Sequence, residues 1–234
     1  MLKDALDLAA IHRVLVIKLR HHGDVLLTSP VFSVLKNHAP HLEIDALVYR
    51  DTADMLNLHP AIARIHTVDK QWKNSGSLAQ AKAEWALLSA LRERRYDLIV
   101  HLTESNRGAW IKRLSGARYG VARSLNSKGK FWRRSFSHFF PYPRGNSRHT
   151  VETHLDALRR LGIYPAADER RLTLVPGAAA EESVSVLLRQ HQVAEGNFIH
   201  IHPTSRWLFK YWTVPALARL IDTLGGEGHT VVLS

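Results

Sequence analysis

Short apolar runs rich in β-branched residues alternate along this chain with longer segments of helical apolar spacing. This alternation is typical of β-α-β units in a parallel sheet, whose strands are covered by helices on both faces. The first run, Val14 to Ile17, lies in a strand predicted over Ile11 to Leu19. A helix follows, with Ser29 as a candidate cap and Pro30 at its first position. The pattern therefore predicts an α/β protein.

The remaining elements fall into two series. In the first, strands are predicted at Leu42 to Tyr49, Ile62 to Val68, Tyr96 to Leu102, Arg118 to Ala122 and Ser135 to Phe139, and helices at Leu78 to Arg94, near Trp110 and at His149 to Leu161. The second has helices at Glu181 to His191 and Val214 to Leu224, and strands at Asn197 to His202 and from His229. We predict a Rossmann-like domain over residues 1–165 and the beginning of a second over 166–234. Because Thr230 to Ser234 resembles the middle of a buried strand, we expect the chain to be the front part of a longer two-domain protein.

The amino-acid composition limits the kinds of protein to which this chain can belong. The chain has 234 residues, of which 45% are hydrophobic and 23% are charged, so it is long enough for a sizeable core and unlike a disordered protein. It has no cysteine, which excludes disulfides and thiolate metal sites. The apolar run at Val14 ends at Lys18, and Asp4 and Asp7 stand where a signal peptide would be basic. We therefore expect neither a signal peptide nor a membrane span.

The net charge of +11 comes from one segment. Residues 106–150, the basic segment, contain no acidic residue, and their cations are Arg107, Lys112, Arg113, Arg118, Arg123, Lys128, Lys130, Arg133, Arg134, Arg144 and Arg148. Interleaved aromatic residues would suit an anionic amphiphile, a membrane surface or nucleic acid. A solvated basic face beside a buried aromatic strand would produce the same composition. Any partner of this segment is expected to be anionic.

The turn after the first strand, Leu19-Arg20-His21-His22-Gly23-Asp24-Val25, is the first candidate site. It should open at the carboxyl edge of the sheet, where α/β folds bind ligands. With Gly23 alone it lacks the glycine fingerprint of dinucleotide sites. Asp24 could act as a general base, or it could be a turn or helix-start residue bonded to backbone N–H groups. Adjacent histidines diverge, so no metal site is expected here.

A second candidate site follows the strand of the second series: His202-Pro203-Thr204-Ser205-Arg206-Trp207-Leu208-Phe209-Lys210-Tyr211-Trp212. Hydroxyls of Thr204 and Ser205 with the cations Arg206 and Lys210 would suit phosphate oxygens. An ordinary loop with exposed cations and tryptophans packed on the next helix explains the same residues.

Together, the motifs VIKLRHHGDVLLTSP and HPTSRWLFKYW resemble the bacterial lipopolysaccharide core heptosyltransferases, the ADP-heptose group of GT-B glycosyltransferases. The resemblance is closest to the heptosyltransferase III type and extends to DTADMLNLHP, RYDLIV and LSGAR. It implies a GT-B fold with the acceptor on the first domain and ADP-heptose on the second. It also implies a second phosphate-binding turn beyond the end of this chain, so the donor pocket is expected to be incomplete.

The resemblance assigns roles residue by residue. It makes Asp24 the catalytic base and Lys210 the donor-phosphate ligand, with Thr204, Ser205 and Arg206 on the same loop. For the acceptor, we expect contacts from cations and one histidine of the first domain, namely Arg20, His21, Arg107, Arg133 and Arg134.

The implied activity is inverting, metal-independent and cofactor-free transfer of L-glycero-D-manno-heptose from ADP-heptose to the phosphorylated, lipid-anchored inner core. Its expected location is the cytoplasm, with peripheral contact at the inner membrane. A GT-B transferase for another nucleotide sugar and a basic nucleic-acid-binding module are the alternatives; the module has no RRM, zinc-finger or KH signature to support it.

Overall fold

The computed structural model describes residues 4–74, 76–141, 148–205 and 207–234. The chain divides into two compact units, Met1–Val175 (unit 1) and Pro176–Ser234 (unit 2). The division falls ten residues after the predicted boundary at 165, because the intervening segment is bonded to unit 1. Glu169 accepts a hydrogen bond from Asn37 Nδ2 at 3.0 Å, and the Thr173 N–H donates to Ser29 Oγ at 3.0 Å.

Unit 1 contains one parallel sheet with helices on both faces. Its strands are β1 (Arg13–Lys18), β2 (Glu43–Tyr49), β3 (Arg64–Val68), β4 (Leu98–His101), β5 (Tyr119–Arg123) and β6 (His138–Phe140). Its helices are α1 (His22–Leu26), α2 (Ser29–His38), α3 (Ser77–Glu93), α4 (Asn106–Ser115), α5 (Lys130–Ser135) and α6 (Thr150–Arg159). The strand order is β3-β2-β1-β4-β5-β6 with every pair parallel, the doubly wound order of a Rossmann fold. The winding direction therefore reverses between β1 and β4.

Strand β1 is buried on both faces because its side chains alternate between two apolar clusters. Val14 and Val16 belong to the cluster that contains the inward faces of α2 and α6. Leu15 and Ile17 belong to the opposite cluster, which contains residues of α3 and α4. A continuous apolar run is therefore required here. A strand with one solvent-exposed face would instead alternate apolar and polar residues.

Helix α2 begins one residue away from the predicted cap. Thr28 holds the N-cap position without a capping side-chain bond, and Ser29 and Pro30 are already helical. The hydroxyl of Thr28 donates instead to the Val25 carbonyl. The prediction that Ser29 caps the helix is wrong, because Ser29 is the first residue of the helix itself; its hydroxyl accepts a hydrogen bond from the Thr173 N–H instead.

Two short helices, α1 and α5, were not predicted because each is only five or six residues long. In α5 the buried Trp132 donates its Nε1–H to the Arg123 carbonyl at 3.1 Å. Beside it, the His101 ring stacks on Phe136 at 5.6 Å between centroids. A Cβ at Gly108 would overlap the His101 ring, so only glycine fits at that position of α4.

Unit 2 contains α7 (Ala178–Gln190), β7 (Ile199–Ile201), α8 (Val214–Gly226) and β8 (Val231–Leu233), with β7 and β8 paired in parallel. None of its described residues is buried. Across the described part of both units, every helix is too short or too polar to cross a bilayer.

Candidate functional site

A polar cavity of about 310 Å³ opens in unit 1 at the carboxyl ends of β1, β4 and β5. It is lined by Lys18, Arg20, Asp24, Leu102, Thr103, Glu104, Arg123 and Thr150. The neighbouring strands β1 and β4 are those between which the winding reverses. Loops on either side of such a point diverge and leave a crevice, which is where open α/β sheets bind their ligands.

The two loops that form the cavity are tied together by hydrogen bonds. The Leu19 N–H donates to Thr103 Oγ1 at 2.9 Å, and the Leu102 N–H donates to the Ile17 carbonyl at 3.0 Å. These bonds fix the segment after β1 to the segment after β4. The side chains on both loops are therefore held at defined positions around the cavity.

Asp24 lies in the first turn of α1 with its side chain 39% exposed and lining the cavity. One carboxylate oxygen, Oδ1, is 3.8 Å from the Nζ of Lys18. The chain thus places this carboxylate at the wall of a cavity that also presents three cations and one further carboxylate, that of Glu104. This geometry allows Asp24 to receive a proton from a bound hydroxyl group.

Lys18, the last residue of β1, is buried and was not among the predicted site residues. Its Nζ is 2.9 Å from His154 Nε2 and 3.4 Å from the Leu102 carbonyl oxygen. Burial lowers the pKa of Lys18 to about 8, against the opposing effect of the Asp24 carboxylate. At neutral pH the side chain is still mainly an ammonium ion.

His154 of α6 is the buried side chain that contacts Lys18. Its Nδ1 is 3.0 Å from the Leu27 carbonyl, and its Nε2 faces Lys18. Burial, reinforced by the charge of Lys18, lowers the pKa of His154 to about 3, so the ring is neutral at physiological pH. A neutral ring that donates from Nδ1 to a carbonyl must accept at Nε2.

Glu104 and Arg123 form the other side of the cavity. The Arg123 Nη1 donates to Glu104 Oε1 at 2.7 Å, and the Arg20 Nη2 lies 4.0 Å from Glu104 Oε2. Arg123 is held at the end of β5 with its side chain 10% exposed. Glu104 therefore holds the nearly buried Arg123 guanidinium by a hydrogen bond, and the half-exposed Arg20 guanidinium lies at the limit of ion-pair distance from it.

The structure brings only some of the predicted acceptor residues to this cavity. Arg20 lines it, whereas His21 is the exposed N-cap residue of α1 and does not line it. Arg107 is in the first turn of α4 and forms a two-bond pair with Glu84 of α3, at 2.6 Å for each bond. Arg133 and Arg134 are exposed on α5, and Arg133 lines a separate cavity beside Trp132. The acceptor role of all five residues, Arg20 included, stays a prediction.

The cavity residues that the sequence did not reveal are Lys18, Thr103, Glu104, Arg123 and Thr150, together with His154 behind them. One signal was present: His154 occupies the inward stripe of α6 with Val151, Leu155 and Leu158. A histidine on such a stripe is buried and needs a polar partner. The partner is 136 residues away in sequence, so only the folded chain identifies it.

Unit 2 has a smaller cavity of about 210 Å³ at the end of β7. Thr204 and Lys210 line it with Trp212, and their role as phosphate ligands stays a prediction. Ser205 is next to Thr204 but does not line the cavity, and Arg206 lies outside the described residues. The Thr204 hydroxyl is 3.4 Å from His202 Nε2. The loop thus presents a hydroxyl and a cation toward one space.

Within the described ranges, no group of three histidine or acidic side chains is placed to hold a metal ion.

The sequence profile of glycosyltransferase family 9 (heptosyltransferase) matches residues 84–234. The chain belongs to this family. It is 34% identical over 218 residues to lipopolysaccharide heptosyltransferase 3 of Escherichia coli, covering 92% of this chain and 62% of that protein. It is 24% identical over 233 residues to lipopolysaccharide heptosyltransferase 1 of Pseudomonas aeruginosa, covering 94% of this chain and 60% of that protein. The chain spans about three-fifths of the length of these curated relatives.

Solved structures share the fold. The glycosyl transferase family 9 protein of Veillonella parvula superposes with a TM-score of 0.81 at 21% identity, covering 99% of this chain and 64% of that chain. The E. coli heptosyltransferase WaaC with ADP-2-deoxy-2-fluoro heptose superposes with a TM-score of 0.69 at 20% identity, covering 94% of this chain and 68% of that chain. The predicted family and the predicted α/β class of GT-B type are confirmed.

Proposed function

We propose that this family 9 chain carries the acceptor site and part of the donor site of an inverting heptosyltransferase. The enzyme transfers L-glycero-D-manno-heptose from ADP-heptose to the inner core of lipopolysaccharide. The observation that carries the proposal is Asp24, fixed in a cation-lined cavity at the point where the sheet reverses its winding. The sequence similarity to heptosyltransferase 3 supports the choice of sugar and acceptor.

The chemistry follows from the position of Asp24. The carboxylate takes the proton of an acceptor hydroxyl as that oxygen forms a bond to the anomeric carbon of heptose. The bond from the anomeric carbon to the phosphate oxygen breaks, and ADP leaves with the electron pair. Attack from the opposite face inverts the anomeric configuration, and the transition state has oxocarbenium character. A phosphate leaving group needs no general acid, so one carboxylate is sufficient.

The leaving charge requires stabilisation on the donor side. Thr204 and Lys210 are suited to bind the diphosphate, because a hydroxyl and an ammonium on one loop can both donate to phosphate oxygens. We propose that they replace the metal ion used by other transferases, and that the reaction needs no cofactor. The cavity's three cations, Lys18, Arg20 and Arg123, outnumber its two carboxylates, Asp24 and Glu104, and this excess of positive charge suits a phosphorylated or carboxylated sugar.

We further propose that the enzyme works at the cytoplasmic face of the inner membrane, where a lipid-anchored acceptor would be presented. Exposed apolar side chains on α3 and α4 support such contact. Trp85 is 67% exposed, Trp110 is 54% exposed, and the exposed cation Arg113 lies on α4. Tryptophan and arginine side chains are favoured at the boundary between water and anionic lipid.

The test is transfer from ADP-heptose to a core-truncated lipopolysaccharide, followed by mass. We expect a gain of one heptose that Asp24→Ala abolishes and that the control Asp54→Ala, an exposed carboxylate of the same unit, retains. Lys210→Ala should weaken the binding of ADP-heptose and slow transfer. Retained turnover above about 5% in Asp24→Ala would remove the carboxylate from the mechanism, since loss of a general base costs ~100-fold or more.

The same assay separates the related activities. A version extended beyond Ser234 is run beside this chain, because the matched relatives are longer. If neither protein transfers heptose but one transfers a different sugar from its nucleotide, the alternative donor is correct. Similarity to the heptosyltransferases does not favour the nucleic-acid module.

A further inference from the structure

We propose that His154 and Lys18 form a positioning pair that holds the Asp24 carboxylate in its orientation toward the acceptor. This inference rests on the proposed function and extends it to two residues that do not themselves react. His154 orients Lys18, and Lys18 orients Asp24.

The first step is the fixed ring of His154. Its Nδ1 is within 3.0 Å of the Leu27 carbonyl, an acceptor only, so the proton must be on Nδ1. The Leu27 carbonyl belongs to the short segment that joins α1 to α2. The ring therefore connects α6 to the helix that carries Asp24, and its Nε2 is left as an acceptor directed at Lys18.

The second step is the ammonium group of Lys18, which has three hydrogens and three oxygen or nitrogen neighbours. His154 Nε2 is at 2.9 Å, the Leu102 carbonyl at 3.4 Å and Asp24 Oδ1 at 3.8 Å. A side chain 5% exposed on the end of a strand cannot rotate freely among other partners. The two neutral acceptors hold the nitrogen in place, with the Asp24 carboxylate at ion-pair distance from it.

The third step is the effect on Asp24. Its side chain is 39% exposed and could adopt other rotamers if no cation faced it. A fixed ammonium at Oδ1 attracts that oxygen and leaves Oδ2 to receive the acceptor proton. Misplacing a reacting group by about 1 Å can cost roughly 100-fold in rate, so orientation of this kind has a large kinetic effect.

The pair also predicts a dependence on pH. The charged or titratable groups that face Lys18 are Asp24 from α1, Arg20 from the β1–α1 loop, Glu104 from the β4–α4 loop, Arg123 from β5 and His154 from α6. Loss of the Lys18 proton above about pH 8 removes its attraction for Asp24. Transfer should therefore decline on the alkaline side as Lys18 titrates.

The first experiment needs no activity. ¹⁵N NMR of histidine in the whole chain should show His154 neutral, protonated at Nδ1 and unprotonated at Nε2. The ¹⁵N shift of Lys18 Nζ should report titration near pH 8, and His154→Leu should move that titration to lower pH, because a neutral acceptor favours the ammonium form. An Nε2–H tautomer, an imidazolium ring or an unchanged Lys18 titration in His154→Leu would overturn the pairing.

The second experiment measures transfer by the protein that shows activity in the assay above. We expect His154→Leu to lower kcat by roughly 10- to 100-fold, with the KM for ADP-heptose unchanged and the alkaline decline moved to lower pH. His154→Gln should restore much of the rate, because its amide oxygen can accept from Lys18. Lys18→Met should lower kcat and remove the alkaline decline, and adding His154→Leu to it should have no further effect.

The matched control is His59→Leu, which also removes a buried histidine of unit 1 but leaves Lys18 untouched. Equal kinetic losses in His59→Leu and His154→Leu would show a general folding effect and contradict the positioning role, as would full kcat in His154→Leu. If no protein transfers heptose while the NMR results are as expected, the proposed function fails and the His154–Lys18 pairing stands.

Discussion

Units 1 and 2 are built from the same alternation of strands and helices, yet they differ in burial. In unit 1, residues Val14 to Lys18 of β1 are all buried and α2 and α3 cover opposite faces of the sheet. In unit 2, β7 and β8 are only partly buried, and Leu187 of α7 and Val214 of α8 are largely exposed. A parallel sheet is stabilised by neighbouring strands at its edges and by helices on both faces. Two strands with two helices provide too few such neighbours to bury their side chains.

The two units also differ in how firmly the cations of their cavities are held. Around Asp24 the cations are held by partners: Lys18 by His154 and Arg123 by Glu104. In unit 2, Lys210 lines its cavity on an exposed loop. Buried and partnered groups are pre-organised for chemistry, whereas an exposed loop cation loses conformational freedom when a ligand binds. We therefore expect the Asp24 cavity to be the more rigid of the two.

The largest expected difference is in amide hydrogen exchange. Amides of β1 and β4 should exchange only through global opening of unit 1, and amides of β7 and β8 through smaller openings. We expect protection at least ~1000-fold greater in β1, which corresponds to about 4 kcal/mol. Exchange measured by NMR or mass spectrometry tests this. Equal protection in the two sheets would show that burial does not distinguish the units.

The second-largest difference is expected in the free energy of unfolding, for a matched pair of leucine substitutions, one in each unit. Leu35→Ala in α2 removes a side chain with no exposed surface and should lower the free energy of unfolding by about 2–5 kcal/mol. Leu187→Ala in α7 removes one that is 59% exposed and should cost about 0.5 kcal/mol or less. Urea denaturation of each variant measures both. Comparable losses would mean that Leu187 is covered in the folded protein in solution.

Acidification should destabilise unit 1 through its buried histidines. Burial lowers the pKa of His101 to about 4 and that of His154 to about 3, against about 6.5 in an unfolded chain. Between pH 6.5 and 4 the unfolded state binds protons that the folded state does not, so stability falls as pH falls. The slope is about 1.4 kcal/mol per pH unit for each histidine.

Unit 2 provides the internal comparison for this pH effect. Its histidines, His191, His200, His202 and His229, are all exposed. Global exchange of unit 1 amides, followed from pH 7 to pH 5, should therefore show the loss more strongly than exchange in β7 and β8. A His101→Phe variant should reduce the slope in unit 1. An unchanged slope would mean that His101 binds protons over the same pH range in the folded and unfolded states.

Much of the fold was predictable because it depends on local patterns. Each predicted strand and long helix is present, with ends that coincide or differ by up to three residues, since periodicity locates an element better than its ends. The short helices α1 and α5 were not predicted, because five or six residues contain too little periodicity to indicate a helix. The end of unit 1 at Val175 was also not predicted, because it depends on long-range bonds such as Thr173 to Ser29.

The candidate sites, like the fold, were predictable only where they depend on a contiguous stretch of sequence. Asp24 and Lys210 are part of contiguous motifs, so the sequence alone identified both as candidates, and the structure places each at a cavity. The alternation of apolar runs likewise determined the α/β class. Lys18 is part of the same motif as Asp24 but was not singled out in the sequence, and Glu104, Arg123 and His154 had no such signal, because they come from three other segments. Only the parallel sheet, by bringing the carboxyl ends of β1, β4 and β5 to one edge and packing α6 behind them, decided which charges face the carboxylate.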